Sequence, residues 1–500
     1  MEKLIVNKNM ITLILSFALI SLFFLLVFRK NYSIIRDIGI LSSGGLFFLS
    51  LLTIIFFDIK IHKFQFKETY NISSFENFLN FNLSFGLDHL SLLFFVLTTF
   101  LIFLCVLYVI NEIEYNKLYF YVFNLLLLEF FLILVFFSLD LLIFYISFES
   151  VLIPMFFLTG IFGSRERKTW AIYLLVFYTI CGSLLMLLGI LYLYWLTGTF
   201  SIETYIAQLS LNEELQNYLW IFFALSFLSK IPVFPLHIWL PEAHVEAPTV
   251  GSVVLAGILL KLGVYGLIRF NLNLFPLPSL FFSPYLLVLC SLGVIFASLC
   301  AVCQSDFKRI IAYSSVAHMN LVVIGIFCQG PLGLSGAIFQ SVSHGFVSSG
   351  LFFLIGFLYS RYHSRAVQYY SGLVQIIPLF SAFFTFFSLA NIALPSTSAF
   401  IGELLIILDS FIYNEFLTYI IIASVVICAI YSLWLANRIL FGNLGNFFSQ
   451  GSDLNISEFL IIFSLFFFII LLGIFPYFLM DYIKEFVWIT LLRSDGFLIV

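Results

Sequence analysis

The stretch Phe227–Arg269, FLSKIPVFPLHIWLPEAHVEAPTVGSVVLAGILLKLGVYGLIR, decides the fold. Two apolar runs flank a proline-rich middle, and each run carries a lysine, Lys230 and Lys261. The surroundings make these lysines unusual. Of 500 residues, 62% are hydrophobic and only 10% charged, and the mean hydropathy is +1.13. A soluble domain carries about 25% charged residues, so this chain cannot clothe itself in a water-facing surface. Runs such as Met10–Phe28 and Phe459–Phe475 approach the ~20 residues that cross a ~30 Å hydrocarbon core. They are too long and uniform for the alternating strands, of about 10 residues, that build a membrane barrel. The fold class that follows is all-α: a polytopic membrane protein with Lys230 and Lys261 inside it.

Reading outward gives about fourteen spans, at 10–28, 38–58, 87–110, 117–138, 139–160, 170–196, 217–236, 248–270, 284–304, 308–328, 332–359, 376–412, 416–443 and 457–481. Loops after odd-numbered spans hold twelve Lys and Arg, among them Arg165, Arg167 and Lys168; the other side holds eight, and Lys230 and Lys261 lie within spans. The polar loops Asn71–Asn82 and Ser201–Asn217 fall on the second side. By the positive-inside rule, loops after odd spans face the negative compartment and both termini the positive one. No segment outside the spans is long enough to bury a core of its own. The N-terminal polar residues lead straight into the first apolar run without a small-residue cleavage site, so that run reads as a retained helix.

Several function classes drop out. The net charge is −4 and the pI near 6.0, with no basic patch for nucleic acid. No Walker A, no GxGxxG opening a helix and no flavin or haem signature is present. Cys300 and Cys303 form a lone CxxC inside an apolar run, which reads as helix packing rather than a metal or redox site. Phe occurs 67 times, which fits AT-rich codon drift of the kind organellar genomes show.

A charge at the centre of a span costs about 2.5–3.5 kcal/mol on insertion scales, and such residues are functional candidates by default. Glu149 in span five, Lys230 in seven, Lys261 in eight and Glu403 in twelve qualify, joined by His318 in span ten and His344 in eleven. The plainer reading is that acids and bases pair only to hold helices together. A whole row of them argues against it, because apolar packing holds a bundle as well or better. Lys230 directly precedes Ile231–Pro232, and Glu403 follows Leu394–Pro395. Proline breaks the helix at both places, and irregular backbone at membrane depth survives only inside protein or beside a water-filled cavity. The breaks lie five spans apart, in spans seven and twelve. That spacing suits two inverted five-helix repeats, spans four to eight and nine to thirteen, with the binding path at their broken helices. The chain then divides into 1–116, 117–275 (first repeat), 276–445 (second repeat) and 446–500 (helix fourteen and tail). Other polar residues read more plainly. His237, His244, Glu242 and Glu246 cap or line an entrance near the negative side, Pro241 disfavouring a metal face. Asp140 either gates the other mouth of span five or caps a helix. Asp306 beside Lys308 and Arg309 reads as a loop salt bridge, and His363 as a solvated loop residue.

These residues resemble the proton-pumping, antiporter-like subunits of NADH:ubiquinone oxidoreductase, respiratory complex I. The resemblance runs from Gly86-Leu-Asp88 to Arg438 and rests on Phe227–Arg269, on SDFKRIIAYSSVAHMN from Ser305, and on QSVSHG at Gln340–Gly345. Among the family's types, the chain 2 and chain 5 types and the related Mrp-type antiporters place Lys in span twelve; Glu403 matches the chain 4 type. The long lateral helix of the chain 5 type has no room after Tyr482, and the loop over Asp58–Asn82 looks individual.

The resemblance implies a fourteen-helix fold that moves protons along Glu149, Lys230, Lys261, His318 or His344, and Glu403. Partner subunits would oxidise NADH, reduce ubiquinone and hold the FMN and iron–sulfur clusters, with no cofactor in this chain. It also implies chain 2-type and chain 5-type neighbours, membrane lipid, and the mitochondrial inner membrane or a bacterial plasma membrane. An ion pair at ~4 Å and an effective dielectric near 20 is worth about 4 kcal/mol. Moving a proton against ~150 mV takes about 3.5 kcal/mol of electrical work, which separating Glu149 from Lys230 can match. The rivals are an independent cation/proton antiporter, for which a Lys-centred row is a poor Na⁺ site, and a structural scaffold. The span count is open to test. Cysteines placed in the Gly163–Lys168 loop are expected to react with an impermeant maleimide only from the negative (matrix or cytoplasmic) side, and cysteines near Glu213 only from the positive side. Reaction of both from one side would break the count.

Overall fold

A computed structural model describes residues 9–61, 63–71, 82–163, 165–208, 212–443 and 452–494. Among the described residues the regular structure is helical but for one hairpin. Among the described residues twelve helices are long and apolar enough to cross a membrane. Each matches one expected span, and the two missing from that set are spans seven and twelve, which the structure breaks in two. Span seven is Glu213–Lys230 followed, past the break, by Trp239–Glu246. Span twelve is Pro378–Asn391 followed by Ser398–Tyr413. Five is also split, into Leu141–Ser150 and Leu152–Phe162.

Several boundaries differ from the sequence reading. Span nine starts at Pro276, where prolines in the first turn remove donors that would go unpaired anyway. Span fourteen ends at Ile474 before Pro476, and a separate helix, Tyr477–Ser494, continues the chain. The stretch expected as a long loop after span two contains an antiparallel hairpin, β1 (Gln65–Asn71) and β2 (Asn82–Leu87); the rest of the expected Asn71–Asn82 loop lies outside the described residues. The Glu68 carboxylate on β1 accepts the backbone N–H groups of Ile11 and Thr12, each at 3.1 Å. It therefore places a negative charge at the N-terminus of span one, Met10–Val27, where the helix dipole favours it. The expected loop Ser201–Asn217 holds a short helix, Ile202–Gln208, and residues 209–211 fall outside the description.

The core is set by three spans. Eight (Thr249–Leu272) and eleven (Pro331–Tyr362) are buried throughout their apolar stretch, and ten (Phe307–Phe327) nearly so. Spans six (Lys168–Thr197) and thirteen (Glu415–Leu440) bury only a third of theirs and turn apolar faces outward. Two glycines fix how closely the broken spans approach this core. A side chain at Gly263 of span eight would meet the Phe227 carbonyl of span seven at 2.8 Å. One at Gly402 of span twelve would meet the backbone of Gln340 of span eleven at 2.8 Å. Both close approaches carry lysine- or glutamate-bearing turns against the core.

Span eight is not a regular α-helix. It widens into π-turns at Leu255–Leu259 and Leu267–Leu272, on either side of Lys261. Arg269, one of the eight Lys and Arg that the sequence assigns to the second side, sits in the second π-turn and is buried. Its guanidinium pairs with Asp88 at 2.7 Å. Asp88 also caps span three (His89–Glu112), accepting the Ser91 N–H at 3.0 Å while its own N–H reaches the Ser91 hydroxyl at 2.8 Å. This buried pair joins spans three and eight. Removing one partner of a buried pair typically costs about 3–5 kcal/mol, whereas replacing both with apolar groups can be neutral. Asp88→Ala is therefore expected to lower the thermal midpoint of the purified protein markedly, and Asp88→Leu with Arg269→Met to recover most of it. Equal melting of Asp88→Ala and the unaltered protein would remove this pair from the fold's framework.

Candidate functional site

The six expected residues fall into two groups. In the first, Lys230 ends the intact half of span seven. Its ammonium lies 3.7 Å from Glu149 Oε1. It donates to the Phe148 carbonyl at 2.8 Å and sits 3.1 Å from the centre of the Phe148 ring. Both supports come from the split region of span five. The break after Lys230 frees the Ser229 carbonyl, which the Trp239 indole N–H takes up at 2.9 Å. Glu149 Oε1 has no hydrogen-bond partner among the described residues, so charge alone ties it to Lys230.

The second group crosses the core. Lys261 Nζ donates to the Ala256 carbonyl, which the first π-turn presents, and lies 2.9 Å from His344 Nδ1. The His344 and His318 rings are 5.8 Å apart. His318 Nδ1 then meets Glu403 Oε1 at 3.0 Å. Four residues from spans eight, eleven, ten and twelve thus form one row, all buried. At the break before Glu403, Ala393 and Ser396 hold left-handed backbone (φ 62° and 79°), at about 1–2 kcal/mol for a residue with a Cβ. No hydrogen bond joins Lys230 to Lys261 among the described residues.

Four further polar residues differ from the sequence reading or are absent from it. Gln340 donates to Glu403 Oε1 at 3.1 Å, the same oxygen that His318 meets, and accepts the Ser343 hydroxyl at 3.0 Å. Lys308, read as a loop charge, is buried and donates to the Ala247 carbonyl at 2.6 Å. His244, expected at an entrance, is instead fully buried and stacked on Phe352 at 4.7 Å, close enough to Lys261 and Lys308 to feel both charges. Glu129 in span four (Tyr115–Phe137) is fully buried, and neither carboxylate oxygen has a hydrogen-bond partner among the described residues. Its setting, LLLLEFF, was signal enough to have been counted.

The remaining polar residues resolve as structure. Asp306 caps its helix at Lys308 N and pairs with Arg165 at 4.0 Å, a loop salt bridge with a different partner from the one expected. Arg309 pairs with Glu242 at 2.7 Å. Asp140 does not cap its helix with its side chain; its carboxylate accepts the Ser84 N–H of β2 at 2.6 Å. A cavity of about 330 Å³ opens where spans three and eleven end and spans eight and ten begin, lined by Glu112, Lys117, Thr249, Ser360 and Lys308. It opens on the side of the odd-numbered loops and reaches Lys308.

This geometry has relatives. The family described as NADH:quinone oxidoreductase/Mrp antiporter, TM matches residues 138–430. NADH-ubiquinone oxidoreductase chain 4 of Chondrus crispus is 47% identical over 460 residues, 92% of each protein. A chain of respiratory complex I from Thermus thermophilus with bound NADH superposes with a TM-score of 0.86 at 29% identity, covering 96% of this chain and 99% of that one. A chain of the Mrp complex from Dietzia sp. DQ12-45-1b shares the fold, with a TM-score of 0.86 at 18% identity and 98% of both chains covered. With nearly half of its residues identical to a chain 4 protein along almost its full length, the chain belongs to the NADH-ubiquinone oxidoreductase chain 4 family.

Proposed function

We propose that this chain is the proton-translocating, chain 4-type membrane subunit of respiratory complex I, moving protons while partner subunits oxidise NADH and reduce ubiquinone. The observation that carries the reading is the row Lys261–His344–His318–Glu403, in which each member can hold or pass a proton, set beside a loosely held Glu149–Lys230 pair. In this reading protons enter from the negative side at the cavity that reaches Lys308. Glu149 holds the Lys230 ammonium by charge. When Glu149 moves away, about 4 kcal/mol of attraction is lost and Lys230 gives up its proton. Water carries the proton to Lys261, whose contact with His344 passes it toward His318 and Glu403. Glu403 releases it on the positive side. The two broken spans divide the chain into 117–275 and 276–445 as inverted repeats, one bearing the pair and the other the exit. FMN and iron–sulfur clusters belong to partner subunits, the membrane-arm neighbours are of the chain 2 and chain 5 types, and the membrane is the mitochondrial inner membrane.

One set of variants separates a pump from a scaffold. Glu403→Gln keeps the shape and a hydrogen-bonding oxygen for His318 but cannot accept a proton. The expected result is normal assembly and melting with impaired NADH-driven pumping. Glu403→Lys is expected to be milder, since the chain 2 and chain 5 types place lysine there. Lys230→Ala is expected to lower pumping and quinone reductase activity together in an assembled complex. Lower melting with an unchanged proton-to-electron ratio across the three variants would leave only the scaffold.

A further inference from the structure

An apolar groove of about 410 Å³ lies on the outer side of spans two, three, eleven and fourteen, within the 300–1,000 Å³ usual for ligand sites. Its floor is aromatic: Phe100 packs against Phe47 at 5.4 Å and Phe468 at 5.0 Å, and Phe468 stacks on Phe346 at 5.6 Å. At one end the groove runs into a second space of about 610 Å³, whose rim is Lys60, Asp481, Lys484 and Glu485. Tyr482 lines both spaces. Its ring is held by His89 at 5.2 Å and Phe57 at 6.0 Å. Its hydroxyl is buried and has no hydrogen-bond partner among the described residues. A buried hydroxyl without a partner is costly, and one held at the boundary between an apolar slot and a charged mouth calls for a ligand oxygen.

We infer that this groove holds a glycerophospholipid with an amine headgroup. An acyl chain fills the aromatic slot. Tyr482 turns its enclosed hydroxyl toward the groove and donates to a glycerol ester carbonyl. The phosphate lies between Lys60 and Lys484, and the ammonium lies by Asp481 and Glu485. The mouth carries two cations and two carboxylates, which complements a zwitterion better than an anionic lipid. The slot touches Val342 and Phe346, one helical turn apart on span eleven, so the chain packs on the face of that helix opposite His344.

The test is photolabelling of the intact complex in its membrane with a phosphatidylethanolamine bearing a diazirine at the acyl terminus, followed by peptide mapping. Adducts are expected on the Phe100 and Phe468 segments, at higher yield than from the matching choline or phosphatidylglycerol probe. Leu93→Trp, which fills the slot, is expected to abolish them. Tyr482→Phe, losing one hydrogen bond, is expected to lower the yield roughly fivefold. Adducts equal for all three headgroups and unchanged in Tyr482→Phe would mean bulk lipid only. Adducts absent from the groove, or a zero-length crosslink from it to a helix of another subunit, would also overturn the assignment. The headgroup comparison needs no variant, so an assembly defect in either substitution leaves the proposal decidable.

Discussion

An ammonium enclosed in apolar protein has to be met by oxygen or nitrogen from its own surroundings, and much of this molecule follows from meeting that of Lys261. Span eight, which carries it, is enclosed along its apolar length. A regular helix would use every backbone carbonyl on itself. The π-turn at Leu255–Leu259 instead turns the Ala256 carbonyl toward the lysine, while His344 comes in from span eleven. Supplying that histidine requires a second buried helix, and the polarity of His344 and His318 requires Glu403 beyond them. The row is thus a chain of obligations, each polar group bringing the next into the core.

The two breaks serve the same constraint. Irregular backbone inside a membrane protein leaves polar groups that must be taken up locally. The Trp239 indole does this at span seven, capturing the Ser229 carbonyl just before Lys230. At span twelve the break is held by two left-handed non-glycine residues, Ala393 and Ser396, strain of a kind that persists where surrounding structure over-determines it. Each break stands beside an ionisable group, Lys230 at span seven and Glu403 at span twelve. The glycines at 263 and 402 then press these segments against the core.

How much of this the sequence revealed depends on whether the signal was local. Long apolar runs and interior charges are local, and all fourteen spans, both breaks and the six residues of the two groups could be read from them. Partnerships are not local. Nothing near Arg269 told that its partner would be Asp88, far back in the chain, so it was counted with the loop charges. Lys308 was read as surface for the same reason: an Asp306–Lys308–Arg309 cluster looks solvated until the fold packs its lysine onto the Ala247 carbonyl. The hairpin was hidden because its strands are short and flank a polar stretch without a tight-turn signature. The π-turns leave no mark in hydrophobic periodicity when every face of the helix is apolar. Glu129 was legible and was passed over.

Two interior ion pairs, Asp88–Arg269 and Glu149–Lys230, differ in how they are built. Asp88 and Arg269 are both buried, meet at 2.7 Å, and the carboxylate is further fixed by the Ser91 backbone at the start of a helix. Moving either would undo a cap and strand a charge. Glu149 and Lys230 meet at 3.7 Å, Glu149 is more exposed, and its nearer oxygen has no hydrogen bond. Lys230, by contrast, has contacts of its own with the Phe148 carbonyl and ring, apart from the Glu149 carboxylate. In the proposed mechanism the pair can therefore open without leaving the ammonium bare. A pair meant only to hold helices would be built like Asp88–Arg269. One meant to change a proton's affinity by moving a carboxylate would be built like Glu149–Lys230, with one partner anchored and the other held by charge alone.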